Sequence, residues 1–120
     1  MKKQEFKRII DTNNSDHYIW GKDCHGWHFV KTENLSVIKE TMPPGTQEKQ
    51  HYHEKSQQFF YILSGEACFE IEGAVYTLKQ KQGISIMPCE KHKITNITDS
   101  NLEFIVISNP ISHGDRINLE

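Results

Sequence analysis

Residues 45–65 read GTQEKQHYHEKSQQFFYILSG, and the reading of this stretch decides the fold. His51 and His53 are two apart. On a strand, side chains alternate faces, so that spacing turns both imidazoles the same way. A sheet offers two nitrogen ligands to one metal ion in this manner. The pair alone is weak evidence, because seven histidines among 120 residues give about 0.35 His-x-His pairs by chance. The run that follows alternates as well. Gln58, Phe60 and Ile62 fall on one face, and Phe59, Tyr61 and Leu63 on the other. If the first set lines an interior, the second needs cover from a terminal segment or a second subunit, since three large apolar groups together in water make an unusual patch.

The turns that bound this stretch recur along the chain. Pro43-Pro44-Gly45, Ser64-Gly65-Glu66, Glu72-Gly73, Gln82-Gly83 and Asp99-Ser100-Asn101 punctuate short segments rich in β-branched residues. The pattern predicts strands over Trp27–Lys31, Leu35–Met42, Glu48–His53, Gln57–Leu63, Glu66–Glu72, Ala74–Leu78, Gly83–Pro88, His92–Thr98 and Leu102–Ser108. Ile, Val and Thr total 25, against 7 for Ala and Leu together, and β-branched side chains suit a pleated sheet better than a helix. Nine short strands imply an all-β domain, an antiparallel sandwich or small barrel. One short helix is expected near the N-terminus, over Gln4–Asp11, with Phe6, Ile9 and Ile10 on one side.

A chain of 120 residues, 36% of them apolar, fits a single domain with a thin core. The barrel core is expected at about 35–108, flanked by a peripheral N-terminal segment (1–34) and a C-terminal tail (109–120). A net charge of −2 lacks the basic excess of nucleic-acid binders, so no nucleic-acid partner is expected. The longest apolar run, Phe59 to Leu63, falls far short of the ~20 residues that cross a bilayer, so no membrane association is expected. The start, MKKQEFKRIID, has no apolar stretch of the kind a secretory signal carries. Cys24, Cys68 and Cys89 are odd in number and widely spaced, which argues against a disulfide framework or a four-cysteine zinc site. Free thiols point to a reducing, cytoplasmic compartment.

Together these residues resemble the two motifs of the cupin family. The first family motif runs Gly, five residues, His-x-His, three or four residues, Glu, six residues, Gly. Gly45, His51, His53, Gln58 and Gly65 meet each spacing, with Gln58 in place of the usual Glu. The second motif ends in a Pro-Gly turn, a His, and an Asn four residues on. Pro88, His92 and Asn96 meet it, while Lys81 and Cys89 stand where the family usually has Gly. The resemblance runs from about Leu35 to Ser108. It implies an antiparallel double-stranded β-helix, or jelly-roll barrel, and a homodimer. It also implies one divalent metal ion (Zn, Ni, Fe, Mn or Co) on His51, His53, Gln58 and His92. It does not name a reaction, because one scaffold hosts many chemistries. His17, His25, His28 and His113 lack the ligand spacing, and His25 and His28, three apart, cannot share a strand face. Cys89 is expected to be a turn residue with an unligated thiol, although a thiolate near the ion would favour soft metals.

Gln58 shapes the expected chemistry. Three neutral imidazoles and a neutral amide leave a divalent ion its full charge, which suits Lewis-acid stabilisation of anions better than redox cycling. The resemblance therefore implies an isomerase, ketonisation, cyclase or lyase activity on a small oxygenated or sugar-derived acid. The alternatives are an Fe(II)-dependent dioxygenase in which three His suffice, and a non-catalytic metal-dependent small-molecule binding module. Cupins with three His and one Gln include enzymes that ketonise unsaturated uronates. Those carry a catalytic Asp on the last strand, where Phe104–Ser108 here contains no acid. Candidate acids or bases are Glu40, Glu48 and Glu103, with Tyr52 expected to face outward between two inward histidines. Phe60, Ile62, Ile86 and Phe104 are candidate pocket walls. Arg116, one of two arginines, is either a clamp for a carboxylate or phosphate or part of a frayed polar tail.

Overall fold

The computed structural model describes residues 6–112 and 114–120. The chain forms strands β1 (Asp16–Trp20), β2 (Cys24–Lys31), β3 (Ser36–Met42), β4 (His51–His53), β5 (Gln57–Ser64), β6 (Ala67–Ile71), β7 (Ala74–Leu78), β8 (Gly83–Ile86), β9 (His92–Thr95), β10 (Leu102–Asn109) and β11 (Arg116–Asn118). They make two antiparallel sheets, one in the order β1-β2-β3-β10-β5-β8 and the other β11-β4-β9-β6-β7. The connections repeatedly switch sheets, as the jelly-roll reading requires. All nine expected strands are present with ends moved by a few residues. The largest changes are three residues each: β2 begins at Cys24 rather than Trp27, β4 at His51 rather than Glu48, and β9 ends at Thr95 rather than Thr98. The segments expected to flank the barrel core contribute β1, β2 and β11.

Alternation sorts the side chains. On β5, Gln58, Phe60 and Ile62 are buried while Phe59, Tyr61 and Leu63 are 37–39% exposed. β10 runs beside β5 with Phe104 opposite Ile62 and Val106 opposite Phe60. The inner faces close over a core of Met42, Ile62, Phe69, Ile94, Leu102 and Phe104, all nearly inaccessible. The Phe60 ring meets Phe69 edge-on at 5.0 Å and Phe104 at 5.6 Å, in the range where aromatic pairs add stability beyond buried area. The β5–β6 corner depends on Gly65. Its φ is +88°, and a Cβ there would lie 2.5 Å from the Asn101 carbonyl oxygen, a backbone atom that cannot swing aside.

The expected N-terminal helix does not form. Gln4 and Glu5 lie outside the described residues, and Phe6–Asp11 is irregular. Side chains capture the backbone instead. The Asn13 N–H donates to Asp11 Oδ1 (2.8 Å), the Asp11 N–H to Asn14 Oδ1 (2.8 Å), and Asn14 Nδ2 to the Ile9 carbonyl (3.1 Å). Asp and Asn offer such local alternatives to helical bonding. Most of the apolar stripe that would have docked such a helix is also exposed, Phe6 to 76% and Ile9 to 84%, with Ile10 half-buried.

Candidate metal centre

His51 and His53 reach the interior from β4, with Tyr52 between them turned the other way. His92 stands opposite His51 in the β4–β9 ladder. One nitrogen from each of the three rings lies within 4.8 Å of the others, and all three residues are buried. Carbonyls assign two tautomers. His51 Nδ1 is 2.8 Å from the Lys49 oxygen, and His92 Nδ1 is 2.8 Å from the Glu90 oxygen. A carbonyl only accepts, so both Nδ1 atoms carry the proton and both Nε2 atoms present lone pairs. His92 Nε2 is buried with no hydrogen-bond partner. Burial, then the charge of the neighbouring His92, pushes the His51 imidazole down to about 3. Burial likewise lowers His92. Both rings are thus neutral at ordinary pH, the state a metal ligand needs.

Gln58 comes from the opposite sheet. Its amide nitrogen donates to Ser108 Oγ (3.1 Å), leaving Oε1 buried without a partner. A lone buried carbonyl oxygen and a lone buried imidazole nitrogen are each costly unless something electropositive binds them. The residues therefore fit a divalent ion. Cys89 does not join them. Its exposed thiol donates to the Glu54 carbonyl at 3.7 Å.

His51, His53 and Gln58 line a cavity of about 240 Å³, and the His92 ring lies behind them, 4.3 Å from that of His51. Glu40 enters the cavity from β3 and Glu48 from the segment before β4. Arg116 enters from β11, where it stands opposite His53 in the ladder. The tail is a strand and not a frayed end. Three residues pair with β4, and Asp115 Oδ2 accepts the N–H groups of Lys55 (3.0 Å) and Ser56 (2.9 Å). Arg116 Nη1 lies 3.8 Å from Glu48 Oε2. Burial, then the charge of Glu40, pushes Glu48 up to about 8, against the pull of Arg116 and of the Ile94 N–H. Burial pushes Glu40 up to about 7, against the Tyr18 hydrogen bond and Arg116.

The other candidates lie elsewhere. Glu103 alternates onto the outer face of β10 and pairs with Lys39 at 3.1 Å. Phe60 lines the cavity, but Ile62, Ile86 and Phe104 are packed in the core. The lining residues that escaped the sequence reading include Tyr18 and Trp20 of β1, Ile38 of β3 and Val106 of β10. For the β1 pair, the alternation of Tyr18, Ile19 and Trp20 ahead of Gly21 was the one signal.

The cupin domain model matches residues 38–108, more than half of the chain. The chain belongs to the cupin family. This cupin is 31% identical to an uncharacterized protein of Methanocaldococcus jannaschii over 98% of its own length and 94% of that protein. It is 27% identical to the polyketide synthase CurC of Streptomyces cyaneus, over 59% of this chain and less than half (46%) of CurC. Its fold superposes on the polyketide cyclase RemF of Streptomyces resistomycificus with a TM-score of 0.81 at 14% identity, covering 96% of this cupin and 87% of RemF.

Proposed function

We propose that this cupin is a divalent-metal-dependent Lewis-acid enzyme of the isomerase, ketonisation, cyclase or lyase type, acting on a small oxygenated or sugar-derived acid. The observation that carries the reading is Gln58, whose neutral amide oxygen is left for the ion where a carboxylate would cancel charge. A divalent ion held by His51, His53, His92 and Gln58 would supply the charge that polarises a carbonyl or hydroxyl oxygen. The remaining work falls to the chain. Arg116 offers a planar donor fork to a carboxylate, and the Trp20 indole N–H is buried without an acceptor. Phe60, Ile38 and Val106 give the cavity an apolar wall that excludes water. Glu40 and Glu48, raised toward neutrality, are the groups suited to move protons there.

The cavity volume favours a small substrate. About 240 Å³ lies below the ~300–1,000 Å³ of sites for drug-sized ligands. We also infer a homodimer, supported by the exposed apolar residues Phe59, Tyr61, Leu63 and Ile107 on neighbouring β5 and β10. The three free thiols support a reducing, cytoplasmic setting.

The test begins with metal analysis of protein purified without chelator. Stoichiometric metal in the parent and its loss in His53→Ala are expected. A metal-free parent, or a His53→Ala variant with full metal content, sinks the site. Turnover is then followed by NMR with a panel of small hydroxy and keto acids. Oxygen uptake with a diol or thiol would replace the reading by the dioxygenase, and a tightly held metabolite without turnover by the binding module.

A further inference from the structure

Tyr18, Gly26 and Glu40 form one row across three adjacent strands. Tyr18 is the register partner of Gly26 on β2, and Gly26 is the register partner of Glu40 on β3. The middle residue has no side chain, and the row depends on that. A Cβ at Gly26 would lie 2.2 Å from Tyr18 Cζ and 2.5 Å from its hydroxyl oxygen. The Tyr18 ring therefore lies across the β2 backbone and spans a whole strand. Its hydroxyl donates to Glu40 Oε2 at 2.6 Å, the length of a charge-assisted O–H···O bond. Both ends of the pair line the cavity that holds His51, His53 and Gln58.

The two inward glutamates are held differently. Glu48 is tied down on both oxygens, Oε1 by the Ile94 N–H (3.1 Å) and Oε2 by Arg116 (3.8 Å). It is suited to anchoring Arg116. Glu40 is held at Oε2 by Tyr18.

We propose that Tyr18 and Glu40 act as one unit, in which Glu40 is the acid–base residue of the cavity and Tyr18 is the positioning residue that orients its carboxylate, with Gly26 the gap across which the phenol reaches. This rests on the reading of the cavity as a site for acid–base chemistry on a small acid. Glu40 Oε1 takes a proton from a substrate C–H or O–H, and the electron pair of the broken bond stays on the substrate. The Glu40 O–H then returns that proton to a neighbouring substrate atom, so the step is an isomerisation with no net proton, oxidant or reductant. The groups around Glu40 are Tyr18 and Trp20 of β1, His28 of β2 beside the Tyr18 ring (centroids 5.1 Å apart), Glu48, His51 and His53, and Arg116 of β11. Burial raises Glu40 to about 7, so both of its protonation states are populated near neutral pH.

The experiment uses zinc-loaded protein with ¹³C-labelled glutamate carboxyls, and Glu40→Gln to assign the Glu40 signal. Tyr18→Phe and Gly26→Ala are compared with the parent. Losing a hydrogen bond to the carboxylate raises its midpoint, by roughly half a unit or more in both variants. Solvent deuterium exchange into pyruvate, at unchanged zinc content, should fall roughly 100-fold or more in Glu40→Gln. In Tyr18→Phe its pH profile should move upward with the carboxyl midpoint. Unchanged midpoints, exchange by Glu40→Gln at the parental rate, or a zinc-bound parent that exchanges nothing would each overturn the proposal. If Gly26→Ala does not fold, Tyr18→Phe decides alone, since it keeps the ring. Loss of zinc binding by the parent would instead count against the metal site, and the carboxyl titrations can still be read without it.

Discussion

The Gln58 amide nitrogen donates to the hydroxyl of Ser108, 3.1 Å away on the neighbouring strand. The bond turns the NH₂ end of the amide toward Ser108. With the NH₂ group occupied, the oxygen is the atom left over, and it is buried. Ser108 is itself fully buried, so the orientation is set inside the sheet and not by solvent.

Removing that bond should cost metal affinity without touching a ligand. Ser108→Ala is expected to weaken divalent-ion binding by roughly 10-fold, the lower end of the range for groups that orient metal ligands. Isothermal titration with Zn²⁺ checks it, and an unchanged affinity would mean that the amide is oriented by something else.

Gln58→Glu should separate two properties. The carboxylate adds a negative charge, so ion affinity should rise, while affinity of the ion-loaded protein for a small anion such as oxalate should fall, each by roughly 10-fold or more. Competition titrations measure both. A variant that gains affinity for both would contradict the charge argument.

The inward glutamates should leave a mark on the stability of metal-free protein. Glu48 is raised from 4.5 to about 8. Between those values the folded state binds more protons than the unfolded state, so stability falls as pH rises through that window. His51, lowered from 6.5 to about 3, acts on the other side. Below pH 6.5 the unfolded chain binds the extra proton, and stability falls as pH drops. Glu48→Gln, whose amide oxygen can still accept the Ile94 N–H, should raise Tm relative to the parent above pH 8. The gain should vanish near pH 4.5. Thermal melts across that range test it, and a pH-independent difference would rule out ionisation as the cause.

Lys81 and Cys89 hold φ of +68° and +71°, at the two places where the family usually has Gly. A left-handed conformation costs a side-chain-bearing residue roughly 1–2 kcal/mol, and glycine returns about 0.5–1 of that through unfolded-state entropy. Lys81→Gly and Cys89→Gly should therefore each stabilise the fold by about 0.5–1 kcal/mol. Urea denaturation checks this, and destabilisation at either site would mean that its side chain contributes more than the turn loses.

Much of the site was legible because it obeys local periodicity. His51 and His53 share a face by strand alternation, Gln58 precedes Phe60 and Ile62 on the buried face of β5, and Tyr52 alternates outward. The same alternation turns Glu103, an acid–base candidate in the sequence, away from the site. The N-terminal helix was misread because periodicity over a short stretch is outweighed by Asp and Asn side chains that bond the backbone locally. β11 was not legible at all. Three residues in a polar tail carry no pattern, and their pairing with β4 is a contact across more than 60 residues.

The amino-acid sequence by itself determined nine of the eleven strands, the alternation of their side chains, and the spacing of the four candidate ligands, since each follows from alternation and turn residues within a few positions. Only the tertiary structure decided what the inward side chains meet. Packing one sheet on the other brings Gln58 to the histidines of β4 and β9. Closing the edge with β11 puts Arg116 beside Glu48. The absent side chain of Gly26 lets Tyr18 reach Glu40 from two strands away. These are relations between segments far apart in the chain, and they arise only once the backbone has been folded into register.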